Sequence, residues 1–217
     1  MNGAAMRERA GDDRGLADHE AIREVLRHWA YGRDQGKWEQ LAACYHPEAT
    51  MAISWYSGPA TGFVERSKAL TDARAPGDTT KHLLGNSVIE RRGSRAVAES
   101  DATVIVRAKL DGVAADTTAY LRFLDLMEQR DGTWRIVTRT GIYEHDRVDP
   151  VAPDPRWPAV YASFDFSGLP ESCKHLGATM RLRGRSLASD IVGRGSAEES
   201  ALKATAARWL QEKAAAA

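Results

Sequence analysis

Tyr31 and Asp34 close an amphipathic helical pattern in the stretch Tyr31-Gly32-Arg33-Asp34-Gln35-Gly36-Lys37-Trp38-Glu39-Gln40-Leu41. His82 opens a later run rich in β-branched residues, and Arg139 lies on the last such run before a proline-rich stretch. Phenol, carboxylate, imidazole and guanidinium are the parts of a proton-transfer site that works without a metal or an organic cofactor. A neutral imidazole accepts a proton near pH 7, and a carboxylate beside it fixes the tautomer and stabilises the imidazolium. We therefore read His82 as the base and Asp34 as its partner. The alternatives are a core histidine bonded to backbone and an aspartate that only makes a turn or caps a helix. Tyr31 either donates to a leaving hydroxyl or carbonyl oxygen or packs on the core. Arg139 is a bidentate donor for a developing anion or, alternatively, a surface arginine.

Strand parity refines these assignments. His82, Leu84, Asn86 and Val88 share one face of a regular strand, so Asn86 joins His82 in an otherwise apolar wall. Trp134, Ile136 and Thr138 share a face, and Arg139 falls on the other. Trp134 and Arg139 both point inward only if a bulge lies near Thr138. Asp101, in mid-strand, is either solvent-facing or a pocket acid. Trp38, Trp55, Tyr56, Phe63 and Tyr143 supply an aromatic lining, some of it simply core.

The elements that carry these residues are marked by period and punctuation. Residues 1–17 are poor in apolar side chains and are expected to be disordered. Asp18 is a good N-cap for a first helix carrying Ile22, Val25, Leu26, Trp29 and Ala30. Gly32 and Gly36 interrupt it, and a short second helix carries Trp38, Leu41, Ala42 and Tyr45 until His46-Pro47 ends it. A strand over Ala49–Trp55, a turn at Gly58-Pro59 and a third helix over Phe63–Ala73 follow. Four long strands are then expected, Lys81–Arg91, Arg95–Leu110, Ala114–Arg130 and Thr133–Asp146. Asp111-Gly112 and Asp131-Gly132 between them are strong hairpin signals. Helices followed by an antiparallel meander indicate an α+β domain whose curved sheet leaves a concave face for a ligand. From Val148 the composition changes: a proline-rich linker precedes a last helix opened by Ser196 with Glu199 at the capping-box position. Its apolar stripe needs a partner surface, and the poly-alanine end is expected to fray.

The 217 residues hold 30 Lys+Arg and 30 Asp+Glu, a net charge of zero. That balance argues against a nucleic-acid partner. No apolar run is long enough to span a membrane, and Met1–Gly15 lacks the apolar core of a secretory signal. Cys44 and Cys173 give neither a disulfide framework nor a metal pattern, so the expected location is cytoplasmic. A phosphate loop, Cys/His metal spacing and a nucleophile elbow are all missing. His145, Asp146 and Asp149 are read as the end of a strand, with no metal role. Val104, Val106, Leu121 and Phe123 read as too apolar for a solvated outer sheet face, which predicts a homo-oligomer, dimer or trimer, joined through the sheets.

Several of these motifs together carry a resemblance. The first helix runs into Tyr31-x-x-Asp34-x-x-x-Trp38-Glu39-x-Leu41. Tyr45-His46-Pro47-Glu48-Ala49, Trp55-Tyr56-Ser57-Gly58, Thr80-Lys81-His82 and Gly132-x-Trp134-Arg135-Ile136-x-Thr138-Arg139 follow in order. Over residues 18–147 the chain resembles the SnoaL-like branch of the nuclear transport factor 2-like (NTF2-like) superfamily. The resemblance implies a cone in which a curved antiparallel sheet wraps three helices around a pocket, here with a C-terminal helical extension. It also implies a cofactor-independent lyase of the dehydrochlorinase or dehydratase type, in which Asp34, His82 and Arg139 match a pocket dyad and arginine and Tyr31 matches a pocket tyrosine. The substrate expected is a hydrophobic cyclic or aromatic small molecule, as in aromatic-compound catabolism, losing water, halide or formaldehyde. An isomerase or polyketide-type cyclase uses the same base on the same fold. A non-catalytic binding protein and a dioxygenase accessory subunit are the readings from other classes.

Overall fold

The computed structural model describes residues 3–212, with side chains from residue 15 onward. Helix α1 (Gly3–Gln35) is followed by α2 (Trp38–Ala43), strands β1 (Tyr45–Ile53) and β2 (Tyr56–Pro59), and helix α3 (Ala60–Asp72). Four long strands come next: β3 (Thr79–Arg92), β4 (Arg95–Leu110), β5 (Val113–Arg130) and β6 (Thr133–Pro150). The C-terminal part adds α4 (Trp157–Ala162), α5 (Lys174–Leu182), β7 (Val192–Gly193) and α6 (Ala197–Gln211). The sheet order is β2-β1-β6-β5-β4-β3, with β7 also pairing β6. The meander is antiparallel, while β1 and β7 each run parallel to β6. This is the α+β architecture expected, a curved, unclosed sheet around helices with a C-terminal helical extension.

Local chemistry explains most boundaries. The two Asp-Gly pairs turn as expected, with positive φ at both residues (45° and 83° at Asp111-Gly112, 50° and 74° at Asp131-Gly132), the geometry that matches the twist of flanking strands. Helix α1 starts well before Asp18, so residues 3–17 are helical where disorder was expected; Met1 and Asn2 lie outside the described residues. Asp18 is therefore no N-cap. Its Oδ1 accepts from Trp134 Nε1 at 2.9 Å and Gln129 Nε2 at 3.2 Å, pinning the helix to the meander. Gly32 does not break the helix; a Cβ there would sit 3.2 Å from the backbone nitrogen of Leu41, so glycine permits the close approach of α2. Gly36, at φ +67°, ends α1. His46-Pro47 falls in β1 rather than ending a helix, inside the irregular pairing between Tyr45 and Thr50, where a proline without an N–H is tolerated.

Two bulges set side-chain direction. The β3–β4 register shifts between Leu84 and Ser87. Ser87 and Ile89 therefore continue the sheltered face of His82 and Leu84, and Asn86 turns to solvent. On β6 the register shifts at Val137, between Ile136 and Thr138. Trp134, Ile136 and Arg139 thereby all face the interior, which is the bulge that the parity of this strand demands.

The main core lies between the inner face of the sheet and α1, α2, α3 and α5, and includes Trp29, Phe63, Phe123, Cys173 and Met180. Val104, Val106, Leu121 and Phe123 belong to this inner side and line a cavity; they do not form the outer face from which pairing through the sheets was inferred. The outer face, with Leu124, Leu126 and Ile142, is covered by Leu202, Ala206 and Trp209 of α6. Arg122 on that face bonds Glu99, Glu144 and Glu199, the last at the start of α6. Ser196 caps α6 as expected, its Oγ accepting from Glu199 N at 3.1 Å. Ser196→Ala should therefore cost about 1 kcal/mol, read from the urea unfolding midpoint; an unchanged midpoint would show that α6 is docked by its apolar face alone. The poly-alanine end lies outside the described residues.

Candidate active site

A cavity of about 310 Å³ lies between the inner face of the sheet and helices α1, α3 and α5, at the small end of the range for small-molecule sites. Its apolar wall includes Trp29, Phe63, Leu121, Phe123 and Met180. Leu176, Thr179 and Met180 come from α5, so the C-terminal extension completes the cavity.

His82 lines this cavity from the start of β3. Its Nδ1 lies 2.6 Å from Asp34 Oδ1, and its backbone N–H donates to Asp34 Oδ2 at 2.9 Å. The Asp34 side chain, in the last turn of α1, is only 2% exposed. A carboxylate only accepts, so Nδ1 carries the proton in the neutral ring and Nε2 keeps a free lone pair. Trp29 meets the imidazole edge-on, centroids 5.3 Å apart. Burial pushes the His82 pKa below its ordinary value, outweighing the opposite pull of Asp34. For Asp34 burial acts upward, but the His82 hydrogen bond and charge, helped by Lys81, hold its carboxyl below the usual range. The result is a neutral imidazole beside an ionised carboxylate, the protonation state of a resting general base.

The other expected residues separate into three groups. Trp55, Phe63 and Tyr143 line the cavity with His82. The Tyr143 hydroxyl accepts from the Ser54 N–H at 2.7 Å, and burial pushes its pKa up to about 12, so it keeps its proton as a donor. Trp38 and Tyr56 pack in or against the core but do not line the cavity; the Tyr56 hydroxyl donates to the Pro59 carbonyl at 2.7 Å. Tyr31, Asn86 and Asp101 are exposed and do not join the cavity. Tyr31 is 54% exposed because it falls opposite the buried stripe Ile22, Leu26, Trp29 and Arg33 of α1.

Arg139 faces inward, yet it does not line the cavity. Fully buried, it makes a bidentate pair with equally buried Asp125 (Nε–Oδ1 2.6 Å, Nη2–Oδ2 2.7 Å). Burial opposes its charge, and Asp125 more than compensates, so the guanidinium holds its proton more tightly than usual. It stacks on the rings of Trp29 and Phe123 at 4.2 and 4.5 Å, behind two cavity-lining side chains.

Arg33 is one of several cavity residues that the sequence motifs do not mark. The signal was present: Ile22, Leu26, Trp29 and Arg33 recur at one-face helical spacing, which places Arg33 under the same roof as Trp29. Among the described residues no group of three or more His, Cys, Asp or Glu is arranged to hold a metal ion.

Known proteins resemble this chain in sequence or in fold. A PEP2-like protein of Fusarium vanettenii is 32% identical over 153 residues, covering 69% of the chain. The chain spans 64% of that curated relative's length. The solved structure of a hexachlorocyclohexane dehydrochlorinase, type 2, superposes with a TM-score of 0.52 at 19% identity, covering 66% of this chain and 95% of that one. A scytalone dehydratase-like protein of Novosphingobium aromaticivorans superposes at 0.53 with 16% identity, covering 66% and 93%. At these identities the two structures establish a common fold. Residues 14–140, more than half of the sequence, match the family model of the SnoaL-like domain, and the chain belongs to that family.

Proposed function

We propose that this protein is a cofactor-independent lyase acting on a hydrophobic cyclic or aromatic small molecule. The observation that carries the reading is the 2.6 Å bond between His82 Nδ1 and Asp34 Oδ1 at the wall of an apolar cavity. His82 Nε2 takes a proton from carbon. The C–H electron pair becomes the new double bond as the bond to the leaving group breaks. Halide departs as the anion; a hydroxyl departs as water after receiving a proton, which the imidazolium can return. In the formaldehyde variant the base takes a hydroxyl proton, the O–H electron pair becomes the carbonyl of formaldehyde as the adjacent carbon–carbon bond breaks, and the pair of that bond either expels a leaving group on the next carbon or takes up a proton returned by the imidazolium. Asp34 stabilises the imidazolium and holds the ring. Tyr143, with its proton retained, donates to a substrate oxygen or leaving group, a role assigned to it because it lines the cavity and Tyr31 and Arg139 do not. Trp55 and Phe63 pack against the substrate ring.

The dehydratase and dehydrochlorinase character of structural relatives supports an elimination. Mass spectrometry of the purified protein with a panel of halogenated, terpenoid and lignin-type alcohols, without added cofactor, tests it. Loss of water, hydrogen halide or formaldehyde is the expected result. An unchanged mass at a new retention time would replace elimination by isomerisation or cyclisation.

A further inference from the structure

The cavity is apolar over much of its wall, yet five arginines reach it: Arg33, Arg74, Arg107, Arg183 and Arg185. Among the described residues Asp78 is the one carboxylate residue lining it. Two of the five are neutralised locally. Arg183 pairs with Asp78 at 2.7 Å, and Arg107 makes a bidentate pair with Asp116. Arg33, Arg74 and Arg185 form no side-chain hydrogen bond or ion pair with the described residues. Arg33 is the extreme case. It is 5% exposed, and its Nη1 is buried without a hydrogen-bond partner among them. Asp34, its chain neighbour, is already bonded to His82 and lies within 3.2 Å of Lys81 Nζ.

An unpaired buried guanidinium is costly, and like charges close by raise the cost. The strain registers in all three groups. Burial and the nearby Arg74 charge push Arg33 down to about 10, and burial lowers Arg74 and Arg185 as well. A protein gains by keeping such a cluster when a ligand supplies the missing negative charge. A planar carboxylate matches the guanidinium fork with two parallel hydrogen bonds.

We propose that the substrate of this cavity is an amphiphilic acid, whose carboxylate is bound by Arg33, with Arg74 and Arg185 adding positive potential, and whose apolar body lies against Trp29, Phe63 and Phe123. The proposal rests on the reading of the cavity as the substrate site, but not on the reaction carried out there. It narrows the substrate from any hydrophobic ring compound to one bearing an acidic group. It also orients that compound: Arg33 directly precedes Asp34, so the anchored end lies at the end of the cavity formed by the last turn of α1, close to the dyad.

The test is calorimetric titration with matched acid–amide pairs, such as 3-phenylpropanoate and 3-phenylpropanamide together with bicyclic homologues. Wild type, Arg33→Met and His82→Asn are compared. Wild type is expected to bind at least one acid tenfold or more tightly than its amide, a preference Arg33→Met loses and His82→Asn keeps. Removing an unpaired buried charge should also raise the melting temperature of unliganded Arg33→Met, whereas loss of a merely structural arginine would lower it. Acids bound no better than amides, no binding of any acid, or an acid preference retained in Arg33→Met would each overturn the proposal. Acid binding without turnover of any acid by wild type would leave the anion site standing and count against the lyase instead. Turnover confined to neutral compounds would do the reverse.

Discussion

His82→Asn should lower kcat/KM by about 10²–10⁴-fold, the usual worth of a positioned general base. Asparagine is the informative choice. Its amide nitrogen can occupy the place of Nδ1 and donate to Asp34, so the buried carboxylate keeps a partner while Nε2 is removed. Alanine would leave Asp34, 2% exposed, with fewer donors and would mix a folding defect into the rate. Wild-type activity should follow the neutral imidazole. Burial sets the His82 pKa below the ordinary histidine value of about 6.5, so kcat/KM is flat at neutral pH and falls only as acid protonates the ring. Asp34→Asn removes the one opposing pull toward the charged form. The acid limb should then move to still lower pH while the rate drops, because the imidazolium formed in the reaction loses its counter-charge. A variant His82→Asn that keeps full activity, or an acid limb above pH 7, would remove His82 from the chemistry.

Asp125→Ala should destabilise the fold by about 3–5 kcal/mol, the cost of leaving one member of a buried ion pair alone. Both side chains are completely buried, and Arg139 Nη1 already has no hydrogen-bond partner among the described residues. A loss of that size is a large share of the 5–15 kcal/mol typical of a whole domain, so urea unfolding reads it easily. Removing both charges, in Asp125→Leu/Arg139→Met, should restore most of the stability, since an apolar pair of similar volume avoids desolvation altogether. The double variant also decides what Arg139 does. If its role is to back Trp29 and Phe123, to which its guanidinium lies 4.2 and 4.5 Å away, turnover should fall no more than a few-fold. A loss of 100-fold or more with the fold intact would return Arg139 to the catalytic set.

How far the site is legible in the sequence depends on the kind of order each residue obeys. Helical period places Trp29 and Phe63 inside, and read strictly it also places Arg33 inside and Tyr31 outside. The motif resemblance pulled Tyr31 the other way. Asp-Gly turns fix the meander, and parity on β6 is strong enough to require the bulge found at Val137. Parity fails on β3 because the shift between Leu84 and Ser87 carries no local signal beyond Gly85, so Asn86 lands in solvent. The Asp125–Arg139 pair is hidden for another reason. Nothing local marks Asp125 as buried, and cross-strand partners are a property of register, which depends on both strands at once. The same holds for α5: its share in the cavity is a tertiary fact that composition after Val148 does not encode.

The most direct test of the dyad is ¹⁵N NMR of the His82 ring in unliganded protein across pH 4–8, which needs no knowledge of the substrate. The account predicts a neutral, Nδ1-protonated ring at pH 7 that titrates below 6.5, with Asp34→Asn lowering that midpoint further. A ring protonated on both nitrogens at pH 7, or a neutral ring carrying its proton on Nε2, would contradict it, because no lone pair would then be held free toward the cavity.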